Sequence, residues 1–262
     1  MFAAIASLTL VGCGGGDGGG GTNSGATGGS YTGTAPTLNL SQGLINYISS
    51  TSNGSGVVRG TYAIGQNKGD ITGNATINVS YAYPTSVALK DISNPYWYTI
   101  NYTNLHKTSI FIQADYMIDG QRQNDQSIQS IYTTNAGRTP LAQIDEKDIE
   151  QSIVTAANPL PTSATRGTGG VWYNATIYSR LGYTCGTENA SYSVDAESAS
   201  SLIVKLTYAK NTQNRTLGEC ETASTTASHF YRQTATSFNL LYIETTRSTP
   251  DGSTATRITF AQ

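Results

Sequence analysis

The chain has 262 residues, with 15 Lys and Arg against 17 Asp and Glu, so charged residues make up only 12 % and the formal net charge is −2. Charge so sparse and so balanced offers neither the basic footprint that nucleic acid requires nor an acidic tail, and this argues against nucleic-acid binding. Seventeen Tyr against five Phe and two Trp, with abundant Thr, suit pleated surfaces that are half buried and half wet.

At the start of the chain, Phe2 to Val11 is a run of apolar and small residues. It has the length of a signal-peptide apolar region and is too short to cross a bilayer as a helix. No Lys or Arg precedes it, which departs from the usual positive start. The run ends in Leu10-Val11-Gly12-Cys13, which resembles a bacterial lipobox. That resemblance implies a signal peptide over 1–12, lipid attachment at Cys13 and export to the cell envelope. Gly14 after the cysteine, with Asp only at Asp17, is the pattern that implies sorting to the outer membrane in Gram-negative lipoproteins.

Residues 13–35 are dominated by glycine, with Gly14-Gly15-Gly16 and Gly18 to Gly21 in succession. Such a segment buries no apolar area to offset its ordering entropy and reads as a flexible tether, with a root-mean-square reach of about 25 to 30 Å. Residues 36–262 then form the β-rich extracytoplasmic domain, about 225 residues and ample for a sizeable core.

The first element of that domain is Leu40 to Ile48, whose apolar residues recur at helical spacing after Ser41 as the expected cap. From Val57 the period becomes two. Ala75, Ile77, Val79, Tyr81 and Tyr83 share one face, and Ile110, Ile112, Ala114, Tyr116 and Ile118 share another before the Asp119-Gly120 turn. Between these strands, Tyr96, Tyr98, Ile100 and Tyr102 alternate along one face while Trp97 points the other way. Such a row either packs as cross-strand core or forms an aromatic surface on which a sugar stacks.

The strand pattern lapses from Asn135 to Gly170, and the spaced isoleucines and mixed charge of Ile144 to Ile153 read as a short helix or ordered crossover. A subdivision of the domain near 135–170 is the alternative to one continuous unit. Val171, Tyr173, Ala175 and Ile177 open a second β region, with Asn174 and Thr176 on the wet side. Leu202, Val204, Leu206 and Tyr208 make another strand, Phe238, Leu240 and Tyr242 a third, and Pro250-Asp251-Gly252 turns into the last. Short turns and only two helical patterns imply an all-β antiparallel meander of about ten strands, folded as a sandwich or an incompletely closed barrel.

With Cys13 assigned to lipid, Cys185 and Cys220 remain as an even pair in an oxidising compartment, and a disulfide between them is the expectation. Two free thiols or a metal pair are the alternatives, but neither a CxxC nor a nearby histidine supplies zinc-ligand spacing. The order of Cys13-Gly14-Gly15-Gly16, Tyr132-Thr133-Thr134-Asn135 before Pro140-Leu141, Pro159-Leu160-Pro161-Thr162-Ser163-Ala164 and Gly167-Thr168-Gly169 resembles β-rich Gram-negative lipoproteins that begin Cys-Gly-Gly-Gly. The resemblance implies class and place and carries no catalytic residues.

No G-x-S-x-G elbow, H-E-x-x-H or P-loop occurs, and the two histidines, His106 and His229, stand in no recognisable constellation. Asp115, Asp195 and Glu244 are the acids from which a glycoside hydrolase-like pair would have to be assembled. The expectation is therefore a lipid-anchored envelope protein, without cofactor or metal and without an enzymatic role. It would be held to the membrane by its anchor and serve structural or interaction roles toward an envelope protein or a glycan. The alternative is a half-barrel carrier of a lipid or another apolar ligand, which requires a cavity of several hundred Å³.

Overall fold

The structure, a computed structural model, describes residues 31–93, 98–118, 120–134, 139–146, 150–179, 181–213 and 220–261. One helix, α1 (Leu40–Ile48), is followed by twelve strands: β1 (Ser52–Ile64), β2 (Asn67–Lys90), β3 (Thr99–Ile118), β4 (Gln121–Thr134), β5 (Thr139–Asp145), β6 (Glu150–Ala157), β7 (Gly169–Tyr178), β8 (Thr184–Ala196), β9 (Leu202–Thr212), β10 (Ala223–Gln233), β11 (Phe238–Thr249) and β12 (Gly252–Phe260). Each strand pairs antiparallel with the next, and β1 pairs with β12 from Gly56↔Phe260 to Ile64↔Gly252, so the meander closes into a barrel.

Alternation decides which face turns inward. On β2, Ile71, Ala75, Ile77 and Val79 are buried while Asp70, Thr72, Asn74 and Thr76 are exposed. The same division holds on β9, where Leu202, Val204 and Leu206 are buried. The polar outer wall is the reverse of a transmembrane barrel, whose outward band is apolar. No helix among the described residues is long and apolar enough to cross a membrane.

Closing the sheet demands sharp coiling, and glycine supplies it where strands approach most closely. A Cβ on Gly60 would fall onto the backbone carbonyl of Ala255, and one on Gly186 onto that of Asn211, so neither position has room for a side chain.

The lumen is closed at one end by α1. Asn39, rather than the expected Ser41, caps the helix: its side chain accepts from the Gln42 amide at 2.9 Å, because the chain already turns helical at Leu40. Leu40, Leu44 and Ile48 are buried against inward side chains that include Val204, Leu206, Tyr231 and Phe238. Tyr47 sits edge-on to Tyr231 with centroids 5.2 Å apart and also packs on the second cluster, built from Val58, Ile77, Ile112 and Ile258. The helix is tied as well as packed. Thr108 donates its hydroxyl to the Ile48 carbonyl at 2.8 Å, and Gln233 donates to the Asn39 carbonyl at 2.7 Å.

Three further sequence expectations change. Ile144 to Ile153 contributes the facing ends of β5 and β6 instead of a helix, paired through Ile144↔Gln151 and Ala142↔Ile153. Its isoleucines face outward beneath another layer, so their spacing imitates a helical stripe; Asp148 and Ile149 lie outside the described residues. On β11 the face switches at a bulge, so that Leu241 and Ile243 are buried and Tyr242 points outward. The meander has twelve strands rather than about ten.

The added layer is an arm. β2 and β3 run on past the last pairs with their barrel neighbours, Ser52↔Val79 and His106↔Thr133, and continue as a two-stranded hairpin from Thr85↔Leu105 to Lys90↔Thr99. The hairpin folds over the outer wall: Leu89 and Leu105 pack on Tyr132, Ala142, Ile144 and Ile153, and the Lys90 amide donates to Gln151 at 3.0 Å. If α1 is part of the core rather than a surface ornament, Leu44→Ala should lower unfolding stability by about 2 to 4 kcal/mol. Urea denaturation checks this, and a loss under about 1 kcal/mol would contradict it.

Candidate functional site

Inside the barrel, beyond α1, lies a group of buried polar side chains. Glu188 on β8 is fully buried; it accepts from the Tyr173 hydroxyl at 2.6 Å, and its second oxygen lies 3.5 Å from the Lys210 ammonium. Burial works against the charge on Lys210, but Glu188, Glu150 and Asp145 outweigh it and hold the amine above its ordinary range. Tyr173 is pushed well up, first by burial and then by the neighbouring Glu188 charge. Across the lumen, burial raises the Tyr116 phenol to about 12, with the Asp125 carboxylate adding to it. Lysine thus fills the place that a cation would take, and no His, Cys, Asp and Glu group among the described residues has metal-binding geometry.

Two cavities hold about 10 and 20 Å³, one lined by residues that include Ile131, Gln143, Trp172 and Tyr208, the other between α1 and Pro140, Pro159 and Leu160. A single water fits such a volume and an acyl chain does not.

His229 faces this interior, half-buried, 3.4 Å from the Tyr231 hydroxyl and 5.2 Å, ring to ring, from Tyr208. Burial lowers its pKa to about 4. Among the described residues no hydrogen bond joins it to a carboxylate, and it packs as a neutral aromatic. The three candidate acids are not brought together: Asp115 on β3 is held by Arg122 and Asn124, Asp195 on β8 by Arg166, and Glu244 on β11 by Arg257. Each carboxylate has its own cation on a different part of the outer wall.

The most exposed aromatic side chains among the described residues lie on the arm. Tyr98 is 60 % exposed, Tyr83 55 % and Ile92 51 %. Tyr83 stacks on His106 with centroids 4.2 Å apart, and the His106 Nδ1 shares a hydrogen bond of 2.7 Å with the Tyr81 hydroxyl, which fixes the ring orientation. Of the aromatic row read from the sequence, Tyr98 is exposed at the arm's end and Tyr102 is half buried against the wall, whereas Tyr96 and Trp97 lie outside the described residues. Tyr81, Tyr83 and His106 escaped the sequence reading because they come together only where β2 and β3 leave the barrel; the long unbroken alternation from Ala75 to Tyr83 was the available signal.

A second outer feature is a row across four strands. Phe230 and Tyr242 stack at 4.3 Å, Lys205 covers the free face of Phe230 at 5.4 Å, and Arg257 covers that of Tyr242 at 4.7 Å. Both ring faces are thereby occupied, which leaves this row structural.

The disulfide joins Cys185 at the start of β8 to Cys220 before β10, 35 residues apart, and packs with Ile177 at the end of the barrel opposite α1. Cys13 lies outside the described residues. No protein family, curated protein or solved structure matches the chain.

His229 makes the interior sensitive to acid. The folded state holds it neutral down to about pH 4, while the unfolded chain protonates it near 6.5. Its contribution is therefore fully present above about pH 6.5 and is lost as pH falls toward 4, up to about 3 kcal/mol. In urea titrations at pH 7.5 and 4.5, His229→Gln should narrow the stability difference between the two by roughly that amount. An unchanged difference would assign the acid sensitivity elsewhere.

Proposed function

We propose that the chain is a lipid-anchored envelope protein whose barrel is a non-catalytic interaction module, presenting the arm outward to an envelope glycan or protein. The observation that carries this reading is the contrast between a lumen filled by α1, Tyr47 and the Glu188–Lys210 pair and an arm that leaves Tyr83 and Tyr98 in solvent. Tyrosine at such a place supplies an apolar face and a polar edge together, the chemistry that stacks on a sugar ring while hydrogen bonding to its hydroxyls. The separately paired acids support a role without catalysis.

Anchorage rests on the lipobox resemblance at Leu10 to Cys13. One acyl chain holds a protein only marginally and several hold it durably, so a lipidated Cys13 followed by a glycine tether would keep the barrel near the membrane yet free to turn. The carrier reading would require α1 to leave the lumen and the cavities to grow more than tenfold, and the packed, hydrogen-bonded helix speaks against it.

Two measurements test the proposal. In membrane fractionation, Cys13→Ser should move the protein from the outer-membrane to the soluble fraction while its circular dichroism stays β; unchanged membrane retention would refute the anchor. In co-sedimentation with purified peptidoglycan sacculi and in binding to lipopolysaccharide micelles, the Cys13→Ser chain should bind one of the two. Adding Tyr83→Ala and Tyr98→Ala should weaken that binding at least about tenfold, since each stacked aromatic contributes about 0.5 to 1.5 kcal/mol beyond its burial. Absence of binding to both defeats the glycan role, and indifference to the substitutions defeats the arm.

A further inference from the structure

We infer that Glu188 and Lys210 join covalently inside the barrel, as an amide between the Glu188 carboxyl carbon and the Lys210 Nζ. The inference goes beyond the interaction role proposed above and does not rest on it.

The pleat brings the two residues together and the barrel isolates them. Glu188 on β8 and Lys210 on β9 stand directly opposite each other in the register. Their side chains are 0 % and 11 % exposed, whereas Lys107–Glu146, Arg166–Asp195 and Arg247–Glu221 on the outside each leave at least one partner more than a third exposed. In water, the solvation of an ammonium and a carboxylate favours the separate ions over the amide they could form. Burial withdraws that solvation and leaves the ion pair as the disfavoured form. Two strands of one sheet then hold amine and carboxyl together at an effective concentration that free solutes do not reach.

The surroundings supply what the step needs. An ion pair has the same composition as the amide plus one water, so neither an oxidant nor a co-reactant is required. Nζ lies 3.5 Å from Oε2, long for a charge-assisted hydrogen bond of about 2.7 to 2.9 Å, so the ammonium is not locked onto the oxygen. Glu150 and Asp145, paired across β6 and β5, are two further carboxylates whose charge reaches Lys210. One of them takes a proton from the ammonium, and the amine attacks the Glu188 carboxyl carbon. The Tyr173 hydroxyl, 2.6 Å from Oε1, donates to the oxygen on which negative charge gathers. The new C–N bond replaces the bond from carbon to Oε2, which departs as water with one proton from the amine and one returned by the acid. Nearby, a cavity of about 10 Å³ lined in part by Tyr173, Tyr208 and Gln143 is the size of that water.

Mass spectrometry on the full chain carrying Cys13→Ser, folded and then reduced, tests the bond. The intact mass should fall one water below that of the same chain without the bond. Trypsin does not cut after an acylated lysine, so digestion should release 181–205 joined to 206–215, uncut at Lys210. Lys210→Arg keeps a cation opposite Glu188 but offers no amine, and should restore the full mass while circular dichroism stays β. In protein folded for the first time from inclusion bodies, Tyr173→Phe should slow the loss of water at least about tenfold. A parental chain of full mass with 181–205 and 206–210 released separately would overturn the inference. So would a water lost equally from Lys210→Arg, or one mapped to another peptide. Equal rates with and without the Tyr173 hydroxyl would overturn its part in the step.

Discussion

A barrel that closes by pairing its first strand with its last must fill what it encloses, and this requirement governs the remainder of the molecule. Twelve strands enclose more space than their own inward side chains occupy, given that Gly60, Gly73 and several alanines line the wall where the sheet coils most tightly. Interiors pack at crystal-like density, and unfilled volume costs dispersion contacts and burial. The chain meets the demand with α1, placed ahead of β1, and with a midsection of tyrosines and one buried ion pair. Tyr47 touches both principal apolar clusters, so the helix joins the two walls rather than resting on one.

Filling the lumen moves the consequential surfaces outside. The outer wall is mostly Thr, Ser and Asn, with carboxylates and arginines satisfying one another locally. Against that background the arm is distinctive: its inner face is stitched to the wall by Leu89 and Leu105, and Tyr83 at its base and Tyr98 at its end are the most exposed aromatic side chains of the described residues. The same physics that packs half of the arm leaves the other half without cover, since a hairpin longer than the wall beneath it must overhang.

Much of this was legible in the residues and some was not. Period-two faces such as Ile110 to Ile118 and Leu202 to Tyr208 point inward as read, because uninterrupted strands in one half-buried sheet obey the pleat directly. The pairing of Cys185 with Cys220 also follows from parity once Cys13 is set aside. The β5 and β6 hairpin was misread because both its faces are buried, one by the lumen and one by the arm; charges then occur on the inner face at Asp145 while isoleucines occupy the outer one. At β11 a bulge shifts the alternation by one residue, and nothing local to Leu240 announces it. Closure itself depends on β1 meeting β12, a contact between opposite ends of the domain that no short-range pattern encodes. The cluster of Tyr81, Tyr83 and His106 needs the β2–β3 register as well as the alternation up to Tyr83, and the alternation alone does not bring His106 to it.

The central claim is that the barrel is filled by its own chain and carries no guest. Native mass spectrometry of the protein extracted from membranes tests it most directly. The account predicts the mass of the processed chain with its covalent lipid and nothing further bound, at collision energies that preserve non-covalent complexes. A stoichiometric lipid adduct that survives gentle activation, and increases when Leu44→Ala loosens α1, would contradict it.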